Sequence, residues 1–169
     1  ALGQAGCGSK EPEPTPPPVA KPAPPPKVET RTLHELAATD DNAALLKQLQ
    51  LGQAVDALNS LGQTALHVAA INDKAKNIDT LLTHKANLHA KTAKEQIDAF
   101  HLACAHGSVA AAKLLLAHDI NIKSSAPNGW TALHSAAVNG QDAIVRLFHE
   151  TGKDLSPMSP DGTPLDFAR

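Results

Sequence analysis

Nine histidines and two cysteines are the side chains in this 169-residue chain best suited to metal or nucleophile chemistry. Four of the histidines, His34, His67, His101 and His134, recur 33 or 34 residues apart. Imidazoles bind zinc, but a zinc site needs its ligands to converge on one point. Side chains one structural period apart form a ladder instead. His84, His89, His106, His118 and His149 fall into no paired motif. A Cys–His nucleophile would need Cys104 beside an activating base, yet Cys104 lies in an alanine-like stretch where a thiol acts as a small hydrophobe. Nor does the chain contain G-x-S-x-G, a Gly-rich phosphate loop or H-E-x-x-H. Catalytic, cofactor and metal sites are therefore expected to be absent, with the histidine ladder structural, and the chain reads as a non-enzyme.

The ladder belongs to a longer frame. Thr64-Ala65-Leu66-His67-Val68-Ala69-Ala70 returns as Thr131-Ala132-Leu133-His134-Ser135-Ala136-Ala137. Weaker copies stand at Asp98-Ala99-Phe100-His101-Leu102-Ala103-Cys104, at Arg31-Thr32-Leu33-His34, and at Thr163-Pro164-Leu165-Asp166-Phe167-Ala168. The third position of each copy gives Leu33, Leu66, Phe100, Leu133 and Leu165, spaced by 33, 34, 33 and 32 residues. A fixed period of that length signals stacked repeats, each unable to bury its apolar face alone.

These residues resemble the ankyrin repeat, with its T-P-L-H-x-A frame. The resemblance covers residues 31–169, about four-fifths of the chain. Gly52-Gln53-Ala54-Val55-Asp56-Ala57 matches the family's turn, as do Asp119-Ile120-Asn121-Ile122 and Gly152-Lys153-Asp154-Leu155. The resemblance implies an all-α solenoid of helix-turn-helix repeats joined by hairpin loops, at about 31–63, 64–97, 98–130 and 131–162, with a partial fifth at 163–169. It also implies that each ladder histidine bonds backbone and threonine groups.

The repeated residues have physical reasons to recur. Thr64 and Thr131 stand at helix starts, where a hydroxyl satisfies an orphan N–H. The alanine pairs keep the inner helices slim. The outer helices are expected to carry Ala44, Leu45, Leu46 and Leu49, then Ile78, Leu81 and Leu82, then Ala112, Leu114, Leu115 and Leu116, then Ile144, Val145, Leu147 and Phe148. Gly62, Gly129 and Gly162 precede the frame, where the hairpin turns and a positive φ is expected. At that place the third copy reads Lys94-Glu95-Gln96, one residue longer and without glycine, so a longer or distorted hairpin is expected.

Residues 1–30 are a different material, read as a flexible Gly/Pro-rich tail and spacer. Nine of the thirteen prolines lie between Glu11 and Lys27. Proline fixes φ and removes a donor, which excludes helix and sheet. An extended spacer of roughly 50 Å is expected, or alternatively a docking site for an SH3-like domain through its PxxP spacings. The chain begins without methionine, so processing or trimming is expected. Ala5-Gly6-Cys7 followed by Gly-Ser-Lys resembles the end of a bacterial lipoprotein signal, which implies lipidation and membrane anchoring at Cys7. Gln4 departs from that pattern, which has Leu or a relative there. A Gly-rich terminus with an incidental cysteine is the alternative.

A formal charge of −2 offers no basic surplus for nucleic acid, and no apolar run approaches the ~18 residues of a spanning helix. Surface recognition remains: a protein partner on a concave face, with the chain a monomer when unbound. The family's register puts outward residues after each alanine pair and on the hairpins. Here these are Ile71 and Asn72, Ala105 and His106, Val138 and Asn139, with Leu58, Leu61, Gln63, Ile97 and Trp130. Trp130, expected to be exposed, is the leading anchor, since tryptophans are enriched among residues that dominate binding energy. The resemblance to ankyrin repeats, with that of Cys7 to a lipoprotein signal, implies an inhibitor or self-protection protein for a cell-wall enzyme in the bacterial periplasm; the alternative is a cytoplasmic adaptor using the proline segment as a second docking site.

Overall fold

The computed structural model describes residues 31–151 and Gly3. The spacer with Cys7, the turn at Gly152-Lys153-Asp154-Leu155 and the partial fifth repeat lie outside the described residues.

Eight helices and no strand occur among the described residues, in four pairs. The first member of each pair is short and alanine-rich: α1 Leu33–Ala37, α3 Ala65–Ile71, α5 Ala99–His106 and α7 Ala132–Val138. Between them in sequence run α2 Asn42–Gln50, α4 Ala75–Thr83, α6 Val109–Ala117 and α8 Asp142–Glu150. Odd helices pack on odd ones and even on even, while the two members of each pair also pack together. The result is a two-row stack in which each repeat touches its neighbours, as a solenoid requires.

The core follows the frame. Ala65, Ala69, Ala99, Ala103, Ala132 and Ala136 are fully buried where inner helices meet, beside Leu66, Phe100 and Leu133. The outer row buries Leu45, Leu49, Ile78, Leu81, Ala112, Leu115, Ile144 and Phe148. Small side chains inside let short helices approach closely; longer ones outside fill the wider gap.

The hairpins before α3 and α7 close alike. The Asn59 N–H donates to the Gln63 carbonyl at 2.9 Å and that of Ala126 to the Trp130 carbonyl at 2.8 Å. Gly62 and Gly129 sit at φ +75° and +82°, in the left-handed region that glycine enters without strain. The hairpin before α5 is one residue longer, as expected, its closing bond running from Thr92 N–H to the Ile97 carbonyl at 2.8 Å. Gln96 takes the glycine place at φ +54°. This longer hairpin is tied to its predecessor by a bond from Ala93 N–H to the Gly62 carbonyl at 2.9 Å. A Cβ on Gly62 would lie 2.5 Å from that of Ala93, so glycine is required there twice over.

Candidate functional site

The histidines sit inside the frame, turned toward their own helix starts. Thr64 and Thr131 cap α3 and α7 in capping boxes where His67 and His134 fill the position usually held by Glu or Gln. The Thr64 N–H donates to His67 Nδ1 at 3.2 Å, and the hydroxyl lies 2.8 Å from the same nitrogen. Thr131 and His134 repeat both distances. His34 Nε2 reaches the Ala57 carbonyl at 2.9 Å and His101 Nε2 the Trp130 carbonyl at 3.3 Å. These are the structural bonds the resemblance implied. Among the described residues no three His, Cys, Asp or Glu side chains are grouped to hold a metal. Burial, with the charge of Asp98 adding, pushes the Cys104 thiol well above its ordinary range, which suits a packing residue and not a nucleophile.

Asp98 alters the third frame. Its carboxylate caps α5 by accepting the His101 N–H at 3.0 Å and lies 2.9 Å from His101 Nδ1. Burial works to raise its pKa, but the hydrogen bonds and charge of His101, with the Ser124 hydroxyl, outweigh burial and hold it below the ordinary 3.8. For His67, burial dominates and lowers the pKa below 6.5, against the weaker pull of the Ile97 and Ala90 carbonyls and the Asp98 and Asp56 charges. His67 Nε2 is buried without a hydrogen-bond partner, so those carbonyls act at longer range. Ile97 ends the longer hairpin as Trp130 ends the next, but its carbonyl is not within bonding geometry of that nitrogen.

The surface residues expected from the register fall into two groups. Leu58, Leu61, Gln63, Ile97 and Trp130 lie on the hairpins, at the N-terminal ends of the inner helices. Ile71 and Asn72, Ala105 and His106, Val138 and Asn139 lie at their C-terminal ends, about 10 Å away over seven residues of helix. Leu58, Leu61 and Val138 are 56%, 57% and 47% exposed, making three of the four exposed large hydrophobics among the described residues. Asn72, His106 and Asn139 are exposed, while Ile71, Ala105, Gln63 and Ile97 are half-buried. The carbonyls of Ile71 and Ala105 accept from Ser108 Oγ and Gln141 Nε2, so part of each serves the stack.

Trp130 differs from its expectation. It is half-buried, its ring stacked over His134 with centroids 6.2 Å apart and planes at 25°. The glycine turn places it back on its own helix start, so one face packs.

Val68 and Ser135 were missed. Both are half-buried, three and four residues before Ile71 and Asn72, and before Val138 and Asn139, so they share those faces. Helical spacing from the expected residues would have found them. Leu51, 70% exposed beyond α2, was also missed and carried no sequence signal.

A family model described as "Ankyrin repeats (3 copies)" matches residues 33–124 and 78–159. The chain is 30% identical over 122 residues to the mouse nuclear factor NF-kappa-B p105 subunit, covering 72% of this chain and 12% of that protein. It is 32% identical over 131 residues to a mouse B-cell lymphoma 3 protein homolog, covering 73% and 29%. It is also 28% identical over 148 residues to the fruit-fly tyrosine-protein kinase Shark, covering 83% and 15%. The matched stretch thus spans less than a third of each relative.

Proposed function

This chain belongs to the ankyrin-repeat family, and from that premise we propose that it is a non-catalytic module binding a protein partner along its inner helices and hairpins. Repeats of this family are protein-interaction modules. The observation that carries the surface is that Leu58 and Leu61, on the hairpin before α3, and Val138, at the end of the inner helix α7, are apolar and about half exposed. Large apolar side chains left in water, where they gather, are characteristic of recognition surfaces. The half-buried faces of Val68, Ile71 and Ser135 extend them along the helices.

Capture from an extract tests the reading. The partner should be lost when Leu61→Glu and Val138→Glu are combined, and kept with Lys113→Glu, an exposed change on the outer row. A partner kept by the first variant overturns the inner-row surface. Trp130→Ala is a weaker probe, since stacking on His134 makes it partly a stability change.

A finer reading rests on Ala5-Gly6-Cys7 and the proline spacer alone: a lipid on Cys7, a bacterial envelope location, and inhibition of a cell-wall enzyme by covering its site. The three relatives named above come from animals and lend this no support. The cytoplasmic adaptor is the alternative. Intact mass of the natively produced protein separates them, because an unmodified Cys7 removes the envelope reading.

A further inference from the structure

The ladder histidines differ in which ring nitrogen must carry a proton. A backbone N–H can only donate, so the Thr64 and Thr131 N–H groups fix Nδ1 of His67 and His134 as acceptors. Each of these neutral rings therefore holds its proton on Nε2. His101 is opposite. Its Nδ1 faces the Asp98 carboxylate at 2.9 Å, and its Nε2 faces the Trp130 carbonyl at 3.3 Å. Both groups accept only, so both contacts are hydrogen bonds when the ring carries two protons. With one proton on Nδ1, the Nε2 lone pair points at the carbonyl oxygen instead.

That carbonyl closes the third hairpin, accepting the Ala126 N–H at 2.8 Å. We propose that Asp98, His101 and the Trp130 carbonyl form a proton-dependent latch, pinning the third hairpin when the His101 ring carries two protons and releasing it when the ring carries one. The device is specific to the third repeat because Asp98 stands where its neighbours carry threonine. It would set the position of Trp130, and so tie the proposed binding surface to pH.

The surroundings let His101 and Asp98 act as a pair. Around α5, α3 brings His67, α7 brings His134 and α6 brings only the exposed Lys113. On its own element and just before its hairpin are Cys104, the exposed His106 and the exposed Lys91, whose backbone pairs with that of Asp98, while the Ser124 hydroxyl beyond α6 bonds the Asp98 carboxylate. His67 and His134 are held as acceptors at Nδ1, and burial resists a charge on His67. Asp98, held below 3.8, stays ionised while imidazoles titrate. A second proton on the His101 ring closes the latch, and protonation of Asp98 opens it.

The test follows ring nitrogens by NMR and Ala126 amide exchange in the full chain between about pH 5 and 8. On the acid side His101 should carry two protons while His67 carries one, and Ala126 protection, corrected for intrinsic exchange, should fall as pH rises. Asp98→Thr restores the neighbouring frame: Nδ1 becomes an acceptor, Nε2–H donates at every pH, and the pH dependence of Ala126 protection is lost. Asp98→Asn keeps the side chain's shape without its charge, and should move the loss of protection to lower pH. A wild-type His101 protonated on Nε2 alone throughout, or an Ala126 profile unchanged in both variants, overturns the latch.

Discussion

The junction between repeats one and two and that between repeats three and four occupy equivalent places with opposite chemistry. The third residue of the outer helix is Asn77 in α4 and Ile144 in α8, both buried. Asn77 donates to the carbonyls of Leu36, Ala37 and Thr39 at 3.2, 3.2 and 2.7 Å, and its own carbonyl oxygen accepts from Asn42 at 3.1 Å. Asn42 in turn donates to Thr80 Oγ1 at 2.7 Å. The later junction packs rings, with Phe100 and Phe148 centroids 5.7 Å apart and tilted by 58°. A polar clip fixes one geometry, because a slipped register leaves buried carbonyls bare. An apolar contact tolerates small shifts and loses energy gradually. One period can thus be held together by direction at one end and by volume at the other.

The largest effect should come from the apolar side. Phe148→Ala removes a nearly buried ring and should cost about 3–5 kcal/mol, read as a shift in the denaturant midpoint. Its damage should concentrate in repeats three and four, since repeats couple to nearest neighbours; a uniform loss of exchange protection would break the contrast. Asn77→Ala should cost about 2–3 kcal/mol by stranding carbonyls at the end of α1. Combining it with Asn42→Ala should then add much less than the separate costs, as expected within one network. Full additivity would mean that the clip is not a unit.

Between the two junctions lies His67, whose lowered pKa makes the middle of the stack acid-sensitive. The unfolded ring takes a proton near 6.5 while the folded one resists, so this contribution is whole above 6.5 and lost as pH falls toward the lowered value. His67→Gln should flatten the slope of stability against pH in that window. The smallest effect is at the rim of the polar junction. Lys74 reaches Asp40 at 2.8 Å, but the Asp40 side chain is 88% exposed, and Lys74→Ala should cost under about 0.5 kcal/mol and vanish in high salt.

The period carried most of the fold in the sequence. Leu33, Leu66, Phe100 and Leu133 marked the inner row, Gly62 and Gly129 the turns, and the extra residue near Lys94 the odd hairpin. What stayed hidden was polar and interior. Asn77 looks like a surface residue, because apolar periodicity is blind to a buried amide whose partners lie about 40 residues away. Asp98 reads as a loose copy of threonine, and only geometry shows that it reverses the demand on its histidine. Trp130 was placed correctly on its hairpin, yet its stacking depends on the direction in which Gly129 sends the chain. Half-burial at Ile71 and Ala105 likewise depends on Ser108 and Gln141, from the next repeats.

The longer hairpin before α5 has a practical side. Its surplus residue is accommodated at an exposed tip, Lys94 and Glu95, while the tie from Ala93 to Gly62 and the closing bond from Thr92 to Ile97 stay in place. A loop that already absorbs one residue there can absorb more, since each doubling of loop length adds only about 0.6 kcal/mol of closure entropy. Between Lys94 and Glu95 the chain therefore offers a graft point for a tag or a sensor domain, carried mid-stack rather than at a terminus.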